Sequence, residues 1–134
     1  IRDDLVTGVQ TCALPILQTR QVLTIFPEGN LYPGPETHSL KLGLARMALH
    51  AETSQVGLNT RIVPIGISYS GNLTEKRRPT WGSRVRVRIG EPIDVRQYDT
   101  GEMRRDSKTL TVELQKELDR LNSYEISAPE PAIA

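Results

Sequence analysis

Three apolar runs of strand character and two segments of helical period organise the chain. Val22–Phe26 (VLTIF) is short and β-prone and leads straight into Pro27-Glu28-Gly29. A run of this kind, bounded by turn residues, predicts a buried strand over Gln21–Phe26. Pro27 cannot donate to a sheet ladder, so the strand should stop there, and Gly29 permits the tight turn that follows. Glu28 is then presented at the carboxyl end of a central strand, where ligands bind in open α/β sheets. The plain alternative is a strand-ending turn with a solvated glutamate. A second run, Arg61–Tyr69 (RIVPIGISY), predicts another strand. Pro64 inside it calls for an edge position or a bulge at Pro64-Ile65-Gly66. The third run, Arg84–Ile89 (RVRVRI), alternates strictly. Val85, Val87 and Ile89 are therefore expected on a core face, with Arg84, Arg86 and Arg88 outside.

The helical segments follow the same logic. Leu40, Leu44, Met47 or Ala48, and Ala51 recur at helical spacing and predict a helix over Ser39–Thr53, with Ser39 as a candidate cap. Lys41 falls in its first turn, where a cation opposes the helix dipole. A lysine and a helix N-terminus together suit an anionic group such as phosphate; a solvated lysine is the bland alternative. Leu110, Leu114, Leu118 and Leu121 predict a second helix over Met103–Leu121, with Asp106 and Ser107 as candidate caps. The remaining stretches read as connections. Residues 30–37 hold Asn30, Pro33, Gly34 and Pro35 and leave the strand end where they can cover a site. Residues 70–83 carry Lys76-Arg77-Arg78 and Trp81, which fit a surface loop or a contact with anionic lipid head groups. Ile93–Gly101 reads as a connection, and the proline-containing tail after Ser127 predicts disorder. Strands alternating with helices place the chain in the α/β class, as a mixed sheet of the three strands with helices packed on it.

Composition narrows the chemistry. At 134 residues the chain is one domain, with 37% hydrophobic and 25% charged positions. A net charge of +1 gives no global signal for nucleic acid. No apolar run approaches the roughly 20 residues that span a bilayer. The single cysteine, Cys12, excludes an internal disulfide. With two histidines and no cysteine after residue 12, no metal-ligand spacing is present. No glycine-rich dinucleotide or phosphate loop occurs either, so no cofactor is called for.

The first sixteen residues stand apart. Val6–Ile16, VTGVQTCALPI, resembles the in-frame translation of a sequencing-library adapter, and Ile1-Arg2-Asp3 fits the flanking primer. On that reading residues 1–16 are non-native and are set aside from the fold.

Phe26-Pro27-Glu28-Gly29 at a strand end, then Lys41-Leu42-Gly43, then Val63-Pro64-Ile65, is similar in order and spacing to sequence blocks of the glycerolipid acyltransferase family, which includes the 1-acyl-sn-glycerol-3-phosphate acyltransferases. The resemblance covers about Val22 to Pro92. It implies transfer of a fatty acyl group from acyl-CoA or acyl carrier protein to a hydroxyl of a lysophosphatidate or glycerol phosphate at a membrane surface. It further implies that residues 17–122 are the C-terminal part of an incomplete acyltransferase-like domain, followed by a tail at 123–134. By the resemblance Phe26, Pro27, Glu28 and Gly29 shape the glycerol phosphate site, and Val63, Pro64 and Ile65 line acceptor or acyl binding.

Two departures matter. The family's base and its orienting carboxylate come from an upstream His-x-x-x-x-Asp, and neither His38 nor His50 begins such a motif. No catalytic residue is therefore assigned, and the chain alone is expected to have little or no transferase activity. The first block commonly continues Thr-Arg-Ser, whereas here it reads Asn30-Leu31-Tyr32. Lys41 becomes the candidate phosphate contact, with Arg46 or Arg61 behind it. A non-catalytic phosphate- or lipid-binding α/β module is the alternative. A nucleic-acid binder using Arg84, Arg86 and Arg88 is disfavoured by the 4% aromatic content.

Overall fold

The computed structural model describes residues 13–29, 37–70 and 81–123. Residues 13–18 form a first helix, α1. The Gln21 amide donates to Ile16 O at 3.1 Å and the Arg20 amide to Leu17 O at 2.9 Å. With Arg20 at φ +59°, this is the left-handed closure that satisfies the last carbonyls of a helix. The helix runs across the expected boundary at residue 16. It docks beside the next helix through Gln18 Nε2 to Ser54 Oγ (3.1 Å) and Arg20 Nη2 to Gly57 O (3.3 Å).

The order that follows is α2 (Gly43–Ser54), β1 (Arg61–Ile62), β2 (Ile65–Ser70), β3 (Arg84–Ile89), β4 (Ile93–Asp94), a 3-10 turn at Val95–Tyr98 and α3 (Met103–Ser123). The core lies between the two long helices. Ala45, Ala48 and Leu49 of α2 meet Leu110, Leu114 and Leu118 of α3 over Ile93 and Val95, with Leu40, Leu44, Ile62 and Tyr98 packed around them. The leucine spacing that predicted the second helix is thus the spacing that buries it.

Several sequence expectations change. Residues 21–26 form no strand. They run as a connection, with Val22 92% and Phe26 77% exposed. A β-prone run becomes a strand only where a neighbour takes up its N–H and C=O groups, and β-propensity reports that fit more than a backbone preference. The predicted strand over Arg61–Tyr69 breaks at Val63-Pro64, because Pro64 removes a ladder donor. Its two pieces join different sheets: β1 pairs antiparallel with β4, and β2 pairs antiparallel with β3. Among the described residues the strands thus form two separate two-stranded sheets. The stretch read as a connection at Ile93–Gly101 contains β4 and the 3-10 turn. Helix α2 starts at Gly43 rather than Ser39, and its N-cap, Leu42, makes no side-chain cap. Lys41 accordingly lies just ahead of the helix, outside its first turn.

The largest reversal is the orientation of the β2–β3 hairpin. Gly66 and Gly90 lie against α3: a Cβ on Gly66 would meet Leu121 Cβ at 2.9 Å, and one on Gly90 would meet Leu121 Cδ1 at 3.2 Å. The register places Gly66 opposite Arg88 and Ser68 opposite Arg86. The helix-facing side therefore carries the arginines, and Arg88 Nη1 donates to Leu121 O at 3.0 Å. Val85, Val87 and Ile89 are exposed, against expectation. Only glycine allows α3 to approach this closely, so the glycine positions, not the arginine–valine alternation, decide which face is packed. The tail at 124–134, the loop at 30–36, and Lys76, Arg77 and Arg78 lie outside the described residues.

Candidate functional site

The Phe26–Gly29 turn is the centre of the site. The Gly29 amide donates to Phe26 O at 3.2 Å, closing a tight turn, and Gly29 adopts φ +68°, which favours glycine. Two hydrogen bonds clamp the turn to the segment ahead of α2. The Lys41 amide donates to Pro27 O at 2.9 Å, and the Glu28 carboxylate (Oε2) accepts the His38 amide at 3.0 Å. The Lys41 side chain lies along Gly29, since a Cβ there would stand 3.1 Å from Lys41 Cγ. Pro27, Glu28, Gly29 and Lys41, predicted separately from two motifs, are therefore one structural unit. Phe26 belongs to the turn through its carbonyl, while its ring is exposed.

The clamping bonds reach His38 and Lys41, not the second predicted group. Val63, Pro64 and Ile65 sit at the switch between the two sheets. Pro64 is buried, and its carbonyl accepts the Gly90 amide at 2.8 Å. Val63 and Ile65 are exposed. Helix α3 is common to both groups. Gln115 Oε1 accepts the Leu40 amide at 3.1 Å, and Asn122 Nδ2 donates to Thr37 Oγ1 at 2.5 Å. Asn122 Oδ1 would lie 3.1 Å from a Cβ on Gly66, next to Ile65.

Gln115 and Asn122 were not singled out from the sequence. They are the two amide side chains of α3. An uncharged amide beside a leucine stripe, on a helix otherwise rich in charge, was the one available signal.

The arrangement offers a lysine beside a glycine turn, directly before a helix whose N-cap residue, Leu42, makes no side-chain cap. Cationic charge next to a helix N-terminus favours a phosphate or carboxylate. A separate cavity of about 270 Å³ is lined by Glu91, Asp94, Tyr98, Glu113, Glu117 and Arg120, among others. Its carboxylates repel a phosphate, and Arg120 Nη2 is already engaged by Glu117 at 2.9 Å. There, burial and the neighbouring Glu113 push the Tyr98 hydroxyl above its usual range. That cavity does not suit a phosphate. Among the described residues no cluster of His, Cys, Asp and Glu could hold a metal ion. None of the described helices is long and apolar enough to cross a membrane.

Comparison with known proteins points to the same class. The chain is 34% identical over 116 residues, 85% of its length, to glycerol-3-phosphate O-acyltransferase 2 of Saccharomyces cerevisiae. This supports a glycerolipid acyltransferase relationship and, in general terms, an acyltransferase-like function. The chain spans 15% of the length of that relative. Neither a protein-family model nor a solved structure matches it.

Proposed function

We propose that the chain forms the acceptor side of a glycerolipid acyltransferase. It holds the phosphate of glycerol 3-phosphate or a lysophosphatidate while an acyl group passes from acyl-CoA or acyl carrier protein to a free hydroxyl. The same reading assigns these elements to part of an α/β acyltransferase-like domain working at a membrane surface, where a lysophosphatidate resides. The observation that carries it is the Phe26–Gly29 turn clamped to Lys41 immediately before the uncapped start of α2.

In this reading Lys41 and the first-turn amides of α2 take the phosphate charge. Pro27 and Gly29 fix the turn, and Glu28 holds its geometry through the His38 amide. Val63, Pro64 and Ile65 supply apolar surface for the acceptor or acyl chain. The proton leaving the attacking hydroxyl needs a base within hydrogen-bond reach. His50 is exposed on α2, and neither it nor His38 begins a His-x-x-x-x-Asp. The chain thus contributes binding, not the base.

Calorimetric titration with glycerol 3-phosphate, against glycerol as control, tests the assignment. Binding of the phosphate ester alone is expected, weakened about tenfold or more in Lys41→Ala, as fits loss of one charge-assisted contact. Equal binding of glycerol, or an unchanged affinity in the variant, overturns it.

A further inference from the structure

Residues 37–41 form neither helix nor strand, yet they are tied in alternation to two different elements. Helix α3 takes Thr37 and Leu40: Asn122 Nδ2 donates to Thr37 Oγ1, and the Leu40 amide donates to Gln115 Oε1 at 3.1 Å. The Phe26–Gly29 turn takes His38 and Lys41: Glu28 Oε2 accepts the His38 amide, and Pro27 O accepts the Lys41 amide at 2.9 Å. The adjacent amides of Leu40 and Lys41 are thus fixed by opposite partners, α3 on one side and the turn on the other.

Gln115 is oriented for its part. Its Nε2 donates to Asp119 Oδ1 at 3.2 Å, one turn further along α3. An ionised aspartate only accepts, so it takes the amide nitrogen and leaves the oxygen for the Leu40 amide. Gln115, Asp119 and Asn122 each follow a stripe leucine by one residue, after Leu114, Leu118 and Leu121. A polar row therefore borders the buried leucine stripe along one side of α3.

We propose that Gln115 is a positioning residue of the acceptor site: oriented by Asp119, it fixes Leu40 so that Lys41 stands ready beside Gly29 for a phosphate. The inference rests on the reading of Lys41 as the phosphate contact. The apparent affinity for a ligand falls with the fraction of molecules in the competent arrangement. A residue that keeps this fraction near one tightens binding with no contact of its own. Lys41 is exposed and its side chain is long, so the order that α3 supplies is in the backbone that carries it. The Leu40 amide is part-buried, and loss of its acceptor leaves a donor unpaired there.

Gln115→Met keeps the length of the side chain and removes the oxygen. Amide hydrogen exchange of the full chain should then show Leu40 and Lys41 losing protection about tenfold, with the amides of Leu49 and Leu114 unchanged. Calorimetry should show glycerol 3-phosphate bound about five- to tenfold more weakly, while circular dichroism reports an intact fold. Gln115→Glu keeps an acceptor oxygen and should keep the protection at Leu40. Unchanged protection of Leu40 and Lys41 in Gln115→Met, or unchanged affinity despite its loss, overturns the proposal. So does a loss spread evenly through α2 and α3, which would make Gln115 a support of the fold alone, or a Gln115→Glu chain as unprotected as Gln115→Met. A parent chain that does not bind glycerol 3-phosphate overturns the reading of the site itself, and the positioning role falls with it; the parent shows that failure before any variant is compared.

Discussion

The Glu28 carboxylate accepts the His38 amide, and the Lys41 side chain lies along Gly29, so the turn and the segment ahead of α2 hold one another in place. These positions were legible because their chemistry is local. A positive φ calls for glycine, proline ends a run of donors, and both effects act within four residues. Asp106 shows what local reading leaves out. It was named as a cap at the start of the second helix, yet it lies inside α3 and reaches back to the preceding loop. Its carboxylate accepts from the Thr100 hydroxyl (2.6 Å), the Thr100 amide (2.9 Å) and the Glu102 amide (3.1 Å). The Thr100 hydroxyl bond holds its carboxyl below the usual carboxylate range against the opposing effect of burial, and the two amides and Arg105 assist. A carboxylate whose folded pKa lies below its unfolded value stabilises the fold above the unfolded pKa. That contribution is lost as pH falls through the folded value. Thermal unfolding between about pH 5 and pH 2 should therefore show a smaller acid loss of melting temperature in Asp106→Asn than in the parent. Parallel loss in both chains contradicts this role.

At the scale of elements, helices read well and sheets did not. The Leu110, Leu114, Leu118 and Leu121 stripe is buried in full, since one helix's period already tells which side meets the core. Pairing is non-local, and strand periodicity does not say which face a neighbour covers. The arginine–valine alternation in β3 was read correctly as a strand and wrongly as to its buried face. Leu121 approaches β2 closely at Gly66, which no alternation pattern encodes. Gly66→Ala should cost about 1–3 kcal/mol, because the added methyl would meet Leu121 Cβ at 2.9 Å. Gly43→Ala, with nothing within 4 Å, should gain up to about 1 kcal/mol through helix propensity. Denaturant midpoints compare the two directly; a Gly66→Ala chain as stable as the parent contradicts the close packing of α3 on β2.

Across the whole molecule, α3 does the joining. Its leucines close the core with α2, Gln115 and Asn122 fasten the segment that carries Lys41, and Leu121 packs under the hairpin. The geometry of the candidate site was half legible for that reason. Two motifs far apart in sequence could be named, and the second helix too, but not that this helix ties their segments together. The account proposed for the chain is an acceptor site built from Glu28, Gly29, Lys41 and the start of α2, around the clamped turn. The measurement that tests it most directly is an amide chemical-shift map of the chain titrated with glycerol 3-phosphate. The account predicts that the largest changes fall on Gly29, His38, Lys41 and the first turn of α2. Changes confined to the cavity around Tyr98 and Glu113, or no saturable change at all, would contradict it.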